Sequence, residues 1–242
     1  MNLIDDLIAS LSEDAPVRSV LVGMHWVVVC SRFCGMASAI QSDLPHGTPS
    51  VREPGALHTK SAKELVQLIH SESTLEISIG MAAINSLLEV DESKAVEINA
   101  GDVLAERGRG KNVALIGHFP FVSQLRESVG TLWVLEQHPI GDEYPAEAAP
   151  DLLPRANVVA ITGSAILNRT MDGLLKLCRP DAIVMVLGPS TPLSPVLFDY
   201  GVDILSGTRV VDETAVLRTV GQGASFRQVQ GVKLLTFTKE SH

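Results

Sequence analysis

The sequence predicts an α/β protein: a small N-terminal α+β domain over residues 1–90, then a Rossmann-like domain with a parallel sheet over residues 91–242. Three observations lead there. After about Val90, the runs NVALIG, TLWVLE, NVVAIT and AIVMVLG are continuously apolar and of strand length, and they alternate with helical stretches. Strands apolar on both faces belong to parallel sheets covered by helices on both sides. Ahead of Val90 the order differs, with Val-rich extended runs first and two helices after them. Finally, 45% hydrophobic and 19% charged residues over 242 positions is the balance of a globular chain with a sizeable core.

Leu3, Ile4, Leu7, Ile8 and Leu11 form a helical stripe. VRSVLVGMHWVVVCS, interrupted by Gly23, reads as one long strand with RFCGMASAI as its hairpin partner. Residues 42–60, with His46, His58 and three prolines, read as a loop. Ser61 with Glu64, and Ser73 with Glu76, have capping-box spacing ahead of two helices. The second of these runs to about Leu88, and its Gly80, Ala82, Ala83 and Ser86 allow close packing. INAGDVLAER is a helix stopped by Gly108 or Gly110. VDILS is a fifth, shorter strand of the second domain.

In open α/β sheets, ligands bind beyond the carboxyl ends of the strands. Here those ends carry Gly117-His118-Phe119-Pro120, then Glu136, then Thr162-Gly163-Ser164 with Asn168 a turn further on, and finally Gly188-Pro189-Ser190-Thr191. Glycine lets a backbone approach a ligand, and Ser190 and Thr191 can cap a following helix whose free N–H groups face an anion. His118 carries an imidazole, which can serve as general base or metal ligand. Each Ser, Thr or Gly alone also fits an ordinary turn; the four ends together are what point to a site.

Several classes are excluded or disfavoured. A net charge of −9 without a basic, aromatic-interleaved patch disfavours nucleic acid and anionic membranes. Val20 to Cys30 is the longest apolar stretch, short of the roughly 20 residues of a span. The acidic start MNLIDDLIASLSED lacks a secretory pattern, so a cytoplasmic location is expected. Three cysteines agree with a reducing compartment and no disulfide framework. Cys30 and Cys34 lie roughly 13 Å apart along an extended strand, too far to share one ion unless a hairpin turn at Ser31-Arg32 closes the gap; with no further ligands nearby, the pair reads as structural. Cys178 fits a core position. Glu136 stands 19 residues after Gly117, close to the ribose-binding acid of dinucleotide folds. GHFPF holds one glycine rather than three, however, and Gly108-Arg109-Gly110-Lys111 precedes its strand, so neither NAD nor Walker-type ATP binding is expected. HExxH, CxxC and G-x-S-x-G are missing.

The segments IGMAAINS (79–86), IGHFPF (116–121), ITGSAILNRT (161–170) and GPSTPLSPVLFDYGVDILSG (188–207) resemble a domain-of-unknown-function family named for heavy-metal chelation. The resemblance runs through essentially the whole chain. It implies an enolase N-terminal-like first domain, a Rossmann-like second domain and a site in the cleft between them. Gly35 and Asn85 would then join the ligand-binding residues, Cys34 would join His118 as a metal ligand, and a divalent or heavy metal becomes the candidate cofactor. The leading expectation is a protein that binds or processes a small anionic ligand, a metal chelate or pterin-like compound. The alternative is an enzyme that makes or modifies a chelating small molecule with His118 as general base. A third reading is an interaction protein that has kept the fold and lost the site. A homodimer is the default oligomer.

Overall fold

The structure is a computed structural model that describes residues 2–40 and 48–239. Its helices are α1 (Leu3–Ala9), α2 (Ala62–Val66), α3 (Thr74–Leu87), α4 (Ala100–Arg107), α5 (Val122–Ser128), α6 (Ala149–Leu152), α7 (Ser164–Leu167), α8 (Met171–Leu177), α9 (Val196–Asp199) and α10 (Glu213–Gly221). Its strands are β1 (Ser19–Val22), β2 (Trp26–Cys30), β3 (Cys34–Ser38), β4 (Asn112–Ile116), β5 (Thr131–Glu136), β6 (Tyr144–Pro145), β7 (Val158–Thr162), β8 (Ile183–Leu187), β9 (Ile204–Val210) and β10 (Val232–Thr238). A small antiparallel sheet has the order β1-β2-β3, and a larger, mostly parallel sheet has the order β10-β9-β8-β7-β4-β5-β6. Among the described residues, no helix is long and apolar enough to cross a membrane.

The chain divides into two units. The first takes Met1–Val90 together with Pro189–Ser194 and Gly207–Leu234; the second takes Asp91–Gly188, Pro195–Ser206 and Leu235–His242. The first unit therefore also holds two later segments, which a single cut near residue 90 does not anticipate.

Within the first unit, the run expected as one long strand is a tight hairpin. β1 and β2 pair antiparallel, Val22 opposite Val27, and the Gly23 N–H donates to the Trp26 carbonyl at 2.9 Å. A Cβ on Gly23 would stand 2.7 Å from the Val220 carbonyl oxygen, so the turn needs a residue without one. β3 pairs with β2 as expected, Cys30 opposite Cys34. Helix α3 is buried along almost its whole length, Glu76, Ser78 and Ser86 included; a helix apolar nearly all round belongs inside a core. Its small residues admit neighbours: a Cβ on Gly80 would stand 2.4 Å from Ile69 N. The capping box at Ser61 and Glu64 forms as expected. The one at Ser73 and Glu76 does not. Ser73 Oγ donates to the Ser50 carbonyl, and Glu76 turns to Arg52 and Ser71. The reason is electrostatic: Arg52 offers the carboxylate charge-assisted bonds, stronger than the neutral backbone N–H of a cap. The expected loop runs irregularly from 48, with a short turn of 3-10 helix at Leu57–Thr59, and His46 lies outside the described residues.

In the second unit, the apolar runs form β4, β5, β7 and β8 as expected, with Gly108 at the C-cap of α4. β4 pairs in parallel with both β5 and β7, β7 with β8, and β8 with β9. Val113, Leu115, Val134, Val158, Ala160 and Met185 fill its core. β10 forms where no strand was expected, and β9 extends beyond VDILS to seven residues.

Candidate functional site

Strand order locates one set of groups. The chain proceeds from β4 outward to β5 and β6, then returns to lay β7 on the other side of β4. That reversal is a topological switch point, where open sheets leave a crevice beyond the strand ends. Gly117 follows β4 and Gly188 follows β8, both with φ of 109°. L-residues avoid this conformation. A Cβ on Gly117 would stand 3.1 Å from Thr162 Cβ and 3.1 Å from the Phe119 ring. One on Gly188 would lie 3.8 Å from the same ring and 4.0 Å from Thr162 Oγ1. Gly117, Phe119, Thr162 and Gly188 are thus neighbours. Phe119 in turn stacks on Phe121, with ring centroids 5.2 Å apart.

His118 is exposed beside this set and is held by a residue the sequence reading did not single out. Its Nδ1 lies 2.6 Å from Glu143 Oε1, and Glu143 Oε2 accepts from the Ile140 N–H at 2.9 Å. The Ile140 N–H first, and His118 second, hold the Glu143 carboxyl below its ordinary range. A carboxylate on Nδ1 fixes the ring and leaves Nε2 outward as base or ligand. Glu143 lies 25 residues from His118 in a turn, so no local spacing reveals the pair.

Three of the backbone N–H groups expected to face an anion are already engaged. The Gly163 N–H donates to the Leu187 carbonyl, the Gly188 N–H to the Ser206 carbonyl, and the Ser164 N–H to Thr162 Oγ1. Asn168 is exposed at the C-cap of α7, and Glu136 accepts from its neighbour Gln137 N–H. Ser190 and Thr191 do not cap a helix: α9 begins at Val196, with Pro195 in the cap position.

Those two residues belong instead to a second set, within the first unit. Ser190 Oγ accepts from Ser38 N–H at 2.8 Å and lies 3.0 Å from Ser38 Oγ. Asn85 Nδ2 donates to the Met36 carbonyl at 2.9 Å and reaches the Ser190 carbonyl at 3.5 Å. Both partners are carbonyl oxygens, so the amide is oriented with Nδ2 toward them and Oδ1 away. Asn85 Oδ1, Thr191 Oγ1 and Thr208 Oγ1 are buried without a hydrogen-bond partner among the described residues. Thr191 as a residue is 2% exposed. Thr208 follows Gly207, whose Cβ position lies 3.1 Å from the Thr191 carbonyl oxygen. Pro189 joins this segment to Gly188. Gly35 plays a packing part: a Cβ there would stand 2.2 Å from the Ala82 carbonyl oxygen and 2.4 Å from Ser86 N, so its face is filled by α3.

The cysteines depart from expectation. Cys30 and Cys34 are disulfide-bonded, because three intervening residues turn the chain and set them opposite each other across β2 and β3. Cys34 is therefore not a lone metal ligand. Among the described residues, Cys30, Cys34 and Glu213 are a set whose candidate metal-ligating atoms all lie within 4.8 Å of one another. Cys178 is half-buried, and burial pushes its thiol up to about 11.

A doubly wound, mostly parallel sheet with polar and glycine residues at its switch point, joined to a small antiparallel unit, defines a Rossmann-like α/β protein. The chain belongs to the family described as "Putative heavy-metal chelation": one family model matches residues 99–239 and a second, described in the same words, matches residues 4–88. A solved structure of a DUF364-family protein of unknown function from Desulfitobacterium hafniense is 28% identical, with a TM-score of 0.85 over 98% of each chain. A second DUF364 structure, from Pyrococcus horikoshii, has a TM-score of 0.82 at 20% identity over 98% of each chain and shows the shared fold. An uncharacterised protein of Methanocaldococcus jannaschii is 27% identical over 160 residues, 63% of this chain and 62% of that relative's length.

Proposed function

We propose that the protein binds a small polar ligand of the metal-chelate class. Two sets of groups carry the reading, each within its own unit. Asn85 and Thr191 supply hydrogen-bonding oxygens; His118, steadied by Glu143, supplies a metal-ligating or proton-moving nitrogen. The observation that carries the reading is the burial of Thr191 Oγ1 and Asn85 Oδ1 without partners. Leaving such groups unpaired costs about 1–3 kcal/mol each, and a bound ligand removes that cost.

Asn85 Oδ1 only accepts, so the ligand presents a hydroxyl, amino or amide donor there, while a threonine hydroxyl matches either polarity. With the Gly163 and Gly188 N–H groups spent inside the sheet, side chains rather than a backbone nest carry recognition.

The test is native mass spectrometry with elemental analysis on protein purified without chelators or an affinity metal. The reading expects a stoichiometric added mass or metal in the wild type, lost in Asn85→Ala where the first set holds it or in His118→Ala where the second does. A bare protein mass from several growth conditions, unchanged by either substitution, contradicts it.

The Glu143–His118 contact favours a second reading of the same groups. A carboxylate that fixes the imidazole is the arrangement of a general base, so the protein would convert its ligand rather than only hold it. Turnover of a co-purifying compound, lost in His118→Ala while its binding persists, separates this reading from the first.

A further inference from the structure

The far end of the β2–β3 hairpin carries a group of side chains that the ligand reading does not use. Cys30 is fully buried and Cys34 is 8% exposed, and both pack with Met36, Val216 and Val220. Glu213, at the start of α10, closes the group from the solvent side. Arg18 takes one carboxylate oxygen, Oε2, at 2.7 Å and reaches Cys34 Sγ at 4.0 Å. One carboxylate oxygen of Glu213 lies within 4.8 Å of both sulfurs. We propose that, once the Cys30–Cys34 bond is reduced, the two thiolates and Glu213 form a three-ligand site for a thiophilic divalent ion such as zinc or cadmium, with Arg18 orienting the carboxylate from behind.

The chemistry of the donors supports this. Two sulfurs and one carboxylate oxygen with a fourth position open is a tetrahedral set that zinc and cadmium favour over hard ions. The apolar surroundings of the sulfurs keep water from competing, and Glu213 gives the ion a path from solvent. A staple role explains the pair poorly: a loop of three residues is already closed by sheet pairing, so the bond removes little chain entropy. Opening the site takes two electrons and two protons from a dithiol reductant, which closes into its own disulfide as the Sγ–Sγ bond breaks. The entering ion then displaces both thiol protons into solvent.

The test uses the full chain, reduced and freed of reductant under argon, titrated with cadmium while thiolate-to-cadmium absorbance is followed. The expected result is one cadmium per chain in the reduced protein and none in the oxidised protein, a folded control that needs no substitution. Cys34→Ser removes the absorbance, and Cys178→Ser keeps it. Glu213→Gln keeps the absorbance and weakens affinity roughly tenfold or more. A reduced chain without the absorbance overturns the site, as does absorbance that survives in Cys34→Ser. Unchanged affinity in Glu213→Gln overturns the three-ligand set.

Discussion

Thr191→Val is the substitution in which stability and binding are expected to move in opposite directions. Thr191 is 2% exposed and its hydroxyl has no partner among the described residues, so the native protein carries nearly the full desolvation cost of that group. Valine keeps the branched shape and puts a methyl where the hydroxyl stood. Removing an unpaired buried hydroxyl returns about 1–3 kcal/mol. The added methyl contributes about 0.8 kcal/mol, and imperfect fit takes back up to ~1 kcal/mol. The ligand-free variant is therefore more stable by about 1–3 kcal/mol, read as a higher urea midpoint at unchanged slope. In the same variant the co-purifying mass is lost or its affinity falls. A loss of ~1 kcal/mol or more in the ligand-free protein refutes the reasoning, because it means the hydroxyl has a partner worth keeping.

Other consequences can be measured independently. Gly35→Ala drives a Cβ into α3 backbone at 2.2–2.6 Å, so a loss of about 3 kcal/mol is expected in urea unfolding; a change under ~0.5 kcal/mol contradicts that packing. Burial pushes the Glu76 carboxyl up, but Arg52 and Ser71 outweigh it and hold it below its ordinary range. A depressed folded value means that its stabilisation is complete above the unfolded range, near pH ~4.3, and is lost as pH falls through the folded value. Glu76→Gln should thus cost about 2 kcal/mol at neutral pH, and the difference from wild type should close in acid; a pH-independent difference counts against the ion pair. Glu143→Ala frees the His118 ring, so ring nitrogen NMR shifts should change from one tautomer, protonated at Nδ1, to a mixture; an unchanged tautomer removes Glu143 as the orienting group.

What the sequence disclosed follows from the range of the forces involved. β4, β5, β7 and β8 were legible because a strand buried on both faces needs a continuous apolar run. β10 was not, because Lys233 and two threonines break its run and leave its half-buried character to tertiary context. Gly23 was visible as an interruption, but only its close approach to Val220 makes it a turn. The Ser73–Glu76 spacing predicted a cap, and an arginine 24 residues away from Glu76 claimed the carboxylate instead. Asn85 and Thr191 were legible through family resemblance and strand-end position. Their unpaired oxygens were not, since partnering is a property of three dimensions. Glu143 and the Cys30–Cys34–Glu213 group were hidden for the same reason.

Asn85 Oδ1 and Thr191 Oγ1 are proposed to hydrogen-bond a bound ligand. A high-resolution crystal structure of protein purified without chelators tests this most directly. Ordered density, larger than water, is expected within hydrogen-bonding distance of both atoms. Both atoms bonded to protein groups, or met by water alone in crystals grown with the co-purified fraction, would contradict it.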